Sequence, residues 1–250
     1  MDGKARQRCV QQNGRKEAMM SDKRGTLYGV SVGPGDPELL TIKAVKALEA
    51  ADVIAAPNIG HGRQTALAIV KDHIGGKPLV DCSTPMLRER AKVLEAYDAV
   101  SDKLAALLDE GKDVAFVCLG DIGVYSTYYY LHERLVARGY HCEVIPGITS
   151  FCAAAAQLGQ PLCEGPEQLR IVPVIAGDVQ DAIVEHGTTV FMKSGKDLVQ
   201  LRRALDEAQL TSKASLVANC GLEDQALYPK LADVPQDMSD YFTLVLLRQE

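Results

Sequence analysis

The stretch Val30-Ser31-Val32-Gly33-Pro34-Gly35-Asp36-Pro37-Glu38-Leu39-Leu40 decides how this chain is read. It closes a short β-rich run, 27–32, and opens into 38–50, where Leu39, Leu40, Ala44, Val45, Ala47 and Leu48 recur at helical spacing. A glycine turn between strand and helix commonly seats an anion. This one lacks that chemistry. A dinucleotide fingerprint requires a third glycine where Glu38 stands, and a carboxylate at a helix start repels pyrophosphate. A phosphate loop requires Gly-Lys-Ser/Thr, which is absent. Asp36 and Glu38 instead make the bend acidic, suited to a cationic or neutral ligand and able to complement a helix N-terminus themselves. Taken alone, the bend reads equally well as a tight turn in which Pro34 and Pro37 fix φ.

Working outward, strand and helix signals alternate. Segments 52–56, 78–82, 113–119 and 142–145 read as strands, and 64–74, 87–110 and 123–138 as helices. The run Asp-Val-Ala-Phe-Val-Cys-Leu at 113–119 is continuous and apolar, the signature of a strand buried on both faces. This alternation predicts a parallel sheet covered by helices. Pro146-Gly147 breaks it. An alanine-rich helix is expected at 149–158, followed by Gly/Pro-rich sequence and by strands at 170–174, 188–192, 214–219 and 241–247. The last two flank a segment too short for a long crossover helix, so some pairing there should be antiparallel. The expected organisation is a basic tail, 1–24, and two α/β domains, 25–146 and 147–250.

Bulk properties exclude several function classes. A formal charge of −6 argues against a protein that coats nucleic acid. The tail carries seven basic and three acidic residues, a balance of +4 that leaves −10 for the remainder. It has no apolar core or small-residue cleavage pattern, so it reads as a disordered extension rather than a secretory signal. No run approaches the ~18 consecutive apolar residues of a membrane helix. Seven widely spaced cysteines without a C-x-x-C pair suit a reducing compartment, and the five histidines show no metal-ligand spacing. A cytoplasmic protein with no protein-held metal is expected.

Two further turns follow predicted strands and precede predicted helices: Leu119-Gly120-Asp121 and Pro146-Gly147-Ile148-Thr149-Ser150. Ligands of open α/β sheets bind at the carboxyl ends of strands, so three such turns on one rim point to a cofactor pocket. The ordered set V-x-V-G-P-G-D-P-x-L-L-T-x-K-A, L-G-D, V-I-P-G-I-T-S, V-F-M-K and A-N-C resembles the successive signatures of the tetrapyrrole methylases, from about Gly25 to Glu250. Within that family, Gly120-Asp121 followed by Val124-Tyr125-Ser126-Thr127-Tyr128, Tyr130 and Leu131 resembles the branch that methylates carbon 20 of precorrin-2.

The resemblance implies two α/β domains of the class III methyltransferase type, with the active site in the cleft between them and S-adenosylmethionine as methyl donor. It places Pro34, Leu119, Gly120, Asp121, Val124, Thr149, Ser150, Met192 and Cys220 at the cofactor. It implies a homodimer acting on precorrin-2 or its cobalt-containing counterpart, with S-adenosylhomocysteine as product. Two departures stand out: Ile122 replaces the usual proline after Gly-Asp, and Cys220 stands where relatives often have glycine. Asp36, Tyr125 and Tyr128 are candidates for accepting a proton. Tyr125, Ser126, Thr127, Arg88, Arg90 and Lys193 are candidates for meeting the substrate and its carboxylates. Of the three consecutive tyrosines 128–130, helical geometry lets at most two share a face. His132 and His141 read as surface or capping residues. Other acceptors served by the same fold, sirohaem precursors and ribosomal RNA among them, and a non-catalytic binding module remain the alternatives.

Overall fold

The computed structural model describes residues 24–57, 65–82, 90–173 and 179–249. Tail residues 1–23, Arg88, the Arg90 side chain and Val174 lie outside the described residues. The chain forms two compact units. The first holds 24–31, Thr41–Cys118 and Tyr125–Pro146; the second holds Val32–Leu40, Leu119–Val124 and the chain from Gly147 onward. Two loop segments that the sequence assigns to the first domain are therefore counted with the second.

The first unit is built on five strands: β1 (Leu27–Ser31), β2 (Val53–Ala56), β3 (Leu79–Asp81), β4 (Val114–Cys118) and β5 (Cys142–Ile145). They lie in the order β3-β2-β4-β1-β5, every pairing parallel, with Leu27 opposite Val114 and Ser31 opposite Cys118. All residues of β2 and β4 are buried, as expected of strands covered on both faces. Neighbouring strands β1 and β4 send their successors to opposite sides of the sheet. That arrangement is a topological switch point, and the loops leaving it are 32–40 and 119–124.

Helix α1 (Ile42–Ala50) starts at Thr41, whose Oγ1 accepts the Ala44 N–H at 3.1 Å. At its other end Lys77 Nζ donates to the carbonyls of Leu48, Glu49 and Ala51 at 2.8, 2.5 and 2.6 Å, satisfying acceptors the helix leaves open. Helix α2 is Thr65–Val70, α3 is Arg90–Asp109 and α4 is Tyr128–Ala137. The last two are joined by Arg134–Asp98 and Arg138–Asp102 pairs at 2.6 and 2.7 Å and by the Tyr97 and Tyr130 rings, 4.9 Å apart. The exposed ion pairs are worth at most about 1 kcal/mol each. Burial of Tyr97, Leu104 and Leu108 carries more of the docking.

Helix α4 starts five residues later than the sequence suggests. Asp121 Oδ1 accepts the Gly123 N–H at 2.8 Å, Tyr125 has φ +51°, and Ser126 Oγ accepts the Tyr128 N–H at 3.2 Å. Short polar side chains bonding the local backbone compete with helix here, so 121–127 is a turn.

The second unit carries helix α5 (Ser150–Leu158) and strands β6 (Gln168–Pro173), β7 (Gly187–Met192), β8 (Ala214–Ala218), β9 (Ala226–Tyr228) and β10 (Thr243–Gln249). The order is β6-β7-β10-β8-β9, with β6–β7 parallel and the other pairings antiparallel, as the short connection before β10 led us to expect. Period-two alternation divides the core. Phe191, Leu216, Val245 and Leu247 face Leu198, Leu201 and Leu205 of helix α7 (Leu198–Glu207), which follows the short α6 (Val179–Ala182). Val190, Val217, Leu244 and Leu246 face Phe151 and Ala153–Ala155 of α5. The alanines let α5 lie close to the sheet. Neither α7 nor β9 was expected from the sequence.

Candidate functional site

Four turns of the second unit are tied to one another. Gly33 and Gly120, with φ +73° and +75°, form a two-bond bridge: the Gly33 N–H donates to Gly120 O at 3.2 Å and the Gly120 N–H to Gly33 O at 2.7 Å. Left-handed backbone of this kind costs glycine little. The first turn also interlocks with the end of β8. A Cβ on Gly35 would stand 2.6 Å from Gly221 C and 2.7 Å from Cys220 O, and one on Gly221 would stand 2.7 Å from Asp36 N. The third turn is tied through Asp121, whose Oδ2 accepts the Gly147 N–H at 2.8 Å. Gln225 Oε1 accepts the Gly221 N–H at 2.7 Å and steadies the fourth.

The expected cofactor residues all fall in this unit. Pro34 is buried; Leu119, Gly120 and Asp121 form the second turn; Thr149 and Ser150 begin α5. Val124, Met192 and Cys220 join one apolar cluster with Phe151, Leu39 and Ile148. Burial pushes the Cys220 thiol up to about 11, so it is neutral near pH 7. The Asp121 carboxylate, expected to face a ligand, instead holds the amides of Gly123 and Gly147 on its two oxygens. Asp36 Oδ1 accepts the Glu38 N–H at 2.8 Å and caps a single helical turn, so this carboxylate serves the turn as well.

Thr149 Oγ1 is buried with no hydrogen-bond partner among the described residues, and it does not cap α5. A buried hydroxyl without a partner costs free energy, and it sits where a cofactor is expected. Segments 32–40, 119–124, 147–150 and 219–222 carry Asp36, Glu38 and Asp121 and not one lysine or arginine. Backbone amides and carbonyls, an open hydroxyl, apolar side chains and negative charge fit a sulfonium nucleoside such as S-adenosylmethionine. They do not fit a pyrophosphate.

The expected substrate residues belong to different units. Lys193 follows β7 with φ +58° in the second unit. Tyr125, Ser126 and Thr127 lie in the first, where Tyr125 is 45% exposed and Ser126 Oγ donates to Cys118 Sγ at 3.7 Å. Tyr128 is fully buried, its ring against Phe116 and His132 and its hydroxyl 3.5 Å from His132 Nδ1. Burial drives its phenol well above the ordinary tyrosine range, and its side chain is enclosed in the core, away from solvent. Tyr129 and Tyr130 are both exposed, Tyr129 edge-on to His132 and Tyr130 against Tyr97.

Sequence reasoning missed Gly221, Gln225, Leu39 and Ile148. Gly221 follows a buried strand, and that was a usable signal; the role of Gln225 had none. Among the described residues no group of three or more His, Cys, Asp or Glu could hold a metal ion, and no helix is long and apolar enough to cross a membrane.

Comparison with known proteins identifies the family. The family model for Tetrapyrrole (Corrin/Porphyrin) Methylases matches residues 26–235. A precorrin-2 C(20)-methyltransferase from Sinorhizobium sp is 35% identical over 89% of this chain and 95% of its own length. A cobalt-precorrin-2 C(20)-methyltransferase from Salmonella typhimurium is 30% identical over 90% and 97%. The chain spans 46% of the length of a Mycobacterium tuberculosis relative, the cobalamin biosynthesis protein CobIJ, to which it is 33% identical over 90% of its own length. Among solved structures, the cobalt precorrin-4 methyltransferase CbiF superposes with a TM-score of 0.72 at 21% identity, covering 89% of this chain and 94% of that one, which establishes the shared fold. With the glycine turns, the two sheets and a match over nearly all of the described residues in agreement, the chain belongs to the tetrapyrrole methylase family.

Proposed function

We propose that this protein is an S-adenosylmethionine-dependent methyltransferase that places a methyl group on carbon 20 of precorrin-2, or of its cobalt-containing counterpart, in corrin-ring assembly. The observation that carries the cofactor assignment is the cation-free set of interlocked turns with the partnerless Thr149 hydroxyl among them. The acceptor assignment is supported by the two relatives whose names specify that carbon, and by the Gly120–Leu131 segment that resembles the same branch.

When bound, the sulfonium donor supplies an already activated methyl group, so the protein's contribution is alignment, which can be worth roughly 7–11 kcal/mol in favourable cases. Pro34, Leu119, Gly120 and Val124 would hold the donor through backbone and apolar contact. Thr149 and Ser150 would offer hydroxyls, and Met192 would pack against the adenine. The neutral Cys220 thiol adds bulk without charge. Lys193 would meet a substrate carboxylate, and Tyr125, Ser126 and Thr127 would border the macrocycle. With Tyr128 in the core, Asp36 and Tyr125 are the remaining candidates for taking the proton that the methylated carbon releases.

We further propose a cytoplasmic homodimer. Seven widely spaced cysteines without a C-x-x-C pair support the reducing compartment. Light scattering reads the assembly directly. The activity test is incubation of the purified chain with methyl-labelled S-adenosylmethionine and precorrin-2, with and without cobalt. Label should move into the tetrapyrrole at carbon 20. Label that stays in the donor rejects the enzyme reading, and label at another carbon rejects the branch.

A further inference from the structure

We propose that Asp121 is a positioning residue: its carboxylate clamps the turn at Gly147 to the turn at Gly123. This rests on the cofactor reading given above, and it assigns the acidic side chain of the Gly-Asp motif to the architecture of that seat.

The argument starts from the inventory of the carboxylate. Oδ1 accepts the Gly123 N–H, two residues on, and Oδ2 accepts the Gly147 N–H, 26 residues on, both at 2.8 Å. Each oxygen thus has a backbone donor at the distance of a charge-assisted bond. The remaining ties among the four turns are of a different kind. Gly33 and Gly120 pair through backbone alone, and Gly35 meets Cys220–Gly221 by backbone contact. The third turn, two residues before Thr149 and the start of α5, is fastened by a side chain. A single substitution can therefore release it while the other ties stay in place.

Asparagine cannot reproduce the clamp. Its one carbonyl oxygen accepts from one amide, and its NH2 group then faces the other N–H, donor against donor. Loss of the clamp shifts the Thr149 hydroxyl and the first amides of α5, so every ligand of the seat suffers alike. A carboxylate that touched the sulfonium would act otherwise. Its loss would weaken S-adenosylmethionine and spare the uncharged thioether S-adenosylhomocysteine.

The experiment combines calorimetry with both nucleosides and amide hydrogen exchange on the ligand-free protein, for wild type and D121N. In wild type the Gly147 amide should exchange at least 100-fold more slowly than in an unstructured peptide, although it lies in a turn. In D121N it should exchange at least tenfold faster, and the Kd values of both nucleosides should rise by the same factor, tenfold or more. An unprotected Gly147 amide in wild type overturns the proposal, and that measurement needs no variant to fold. An unchanged exchange rate in D121N, or a loss confined to the sulfonium form, overturns it too. If wild type binds neither nucleoside, the cofactor reading falls, while the amide rates still decide whether the clamp exists.

Discussion

The interlocked turns of the second unit and the tyrosine-rich turn of the first are built by opposite means. In the former, glycine backbones approach so closely that a single Cβ on Gly35 or Gly221 collides with main chain. In the latter, Tyr125, Tyr129 and Tyr130 stand exposed on a short turn and the first residues of α4. The difference teaches where substitution is tolerated. Turns made of backbone in such contact tolerate almost no change at Gly35 and Gly221. A surface made of exposed side chains can be exchanged at little cost in stability, in keeping with the substrate contact proposed for this turn.

The sharpest way to break that contrast is to compare neighbouring tyrosines. Tyr128→Ala empties a wholly buried site against Phe116 and should cost about 3–5 kcal/mol in urea denaturation. Tyr125→Ala, at the exposed tyrosine proposed to border the macrocycle, should stay within about 1 kcal/mol of wild type while raising the tetrapyrrole KM several-fold. Equal effects on stability would erase the distinction between core and working surface.

Next in size is Gly35→Ala. Its Cβ has nowhere to go, so a loss of about 1–3 kcal/mol is expected, together with at least a tenfold loss of S-adenosylhomocysteine affinity. Gly139→Ala is the control. It carries a positive φ of +81°, which Gly35 does not, but its Cβ would open into free space, and it should cost about 1 kcal/mol with affinity unchanged. Thr149→Val is smaller and more telling. Removing a buried hydroxyl without a partner should leave the melting temperature equal or slightly higher, yet weaken cofactor binding about three- to tenfold, the worth of one hydrogen bond. A drop in melting temperature with unchanged affinity would make the hydroxyl a structural group.

The smallest effect is alkaline. Burial raises the thiols of Cys142 and Cys220 from 9.0 to about 11 and that of Cys82 to about 12. The unfolded chain therefore releases these protons from about pH 9, while the folded chain still holds them. Their contribution is fully present below pH 9 and is lost as pH climbs through 11. Melting curves should be flat in this respect to pH 8.5 and fall beyond 9, and Cys220→Ala should fall less steeply.

Much of this was legible in the sequence, for stated physical reasons. The apolar run at 113–119 read as a strand covered on both faces, and it holds β4, wholly buried. The acidic glycine bend argued for a cationic or neutral ligand over a phosphate, and the four turns it belongs to carry no lysine or arginine. What stayed hidden depended on partners distant in sequence. Nothing local says that Asp121 turns to Gly147, or that Gly221 meets Gly35, far earlier in the chain. The late start of α4 was obscured because Val124, Tyr125 and Tyr128 fit a helical pattern, and the αL backbone at Tyr125 overrides that pattern. Leu198, Leu201 and Leu205 did carry the helical spacing of α7, a signal that was present and passed over.

The most direct test of the central claim is a crystal structure of this protein with S-adenosylhomocysteine bound. The account predicts the ligand against the Gly33–Asp36, Leu119–Val124 and Gly147–Ser150 turns, with the Thr149 hydroxyl within hydrogen-bond distance and the Asp121 carboxylate still on the Gly123 and Gly147 amides. Density for the ligand at any other place on the chain, with these turns bare, would contradict it.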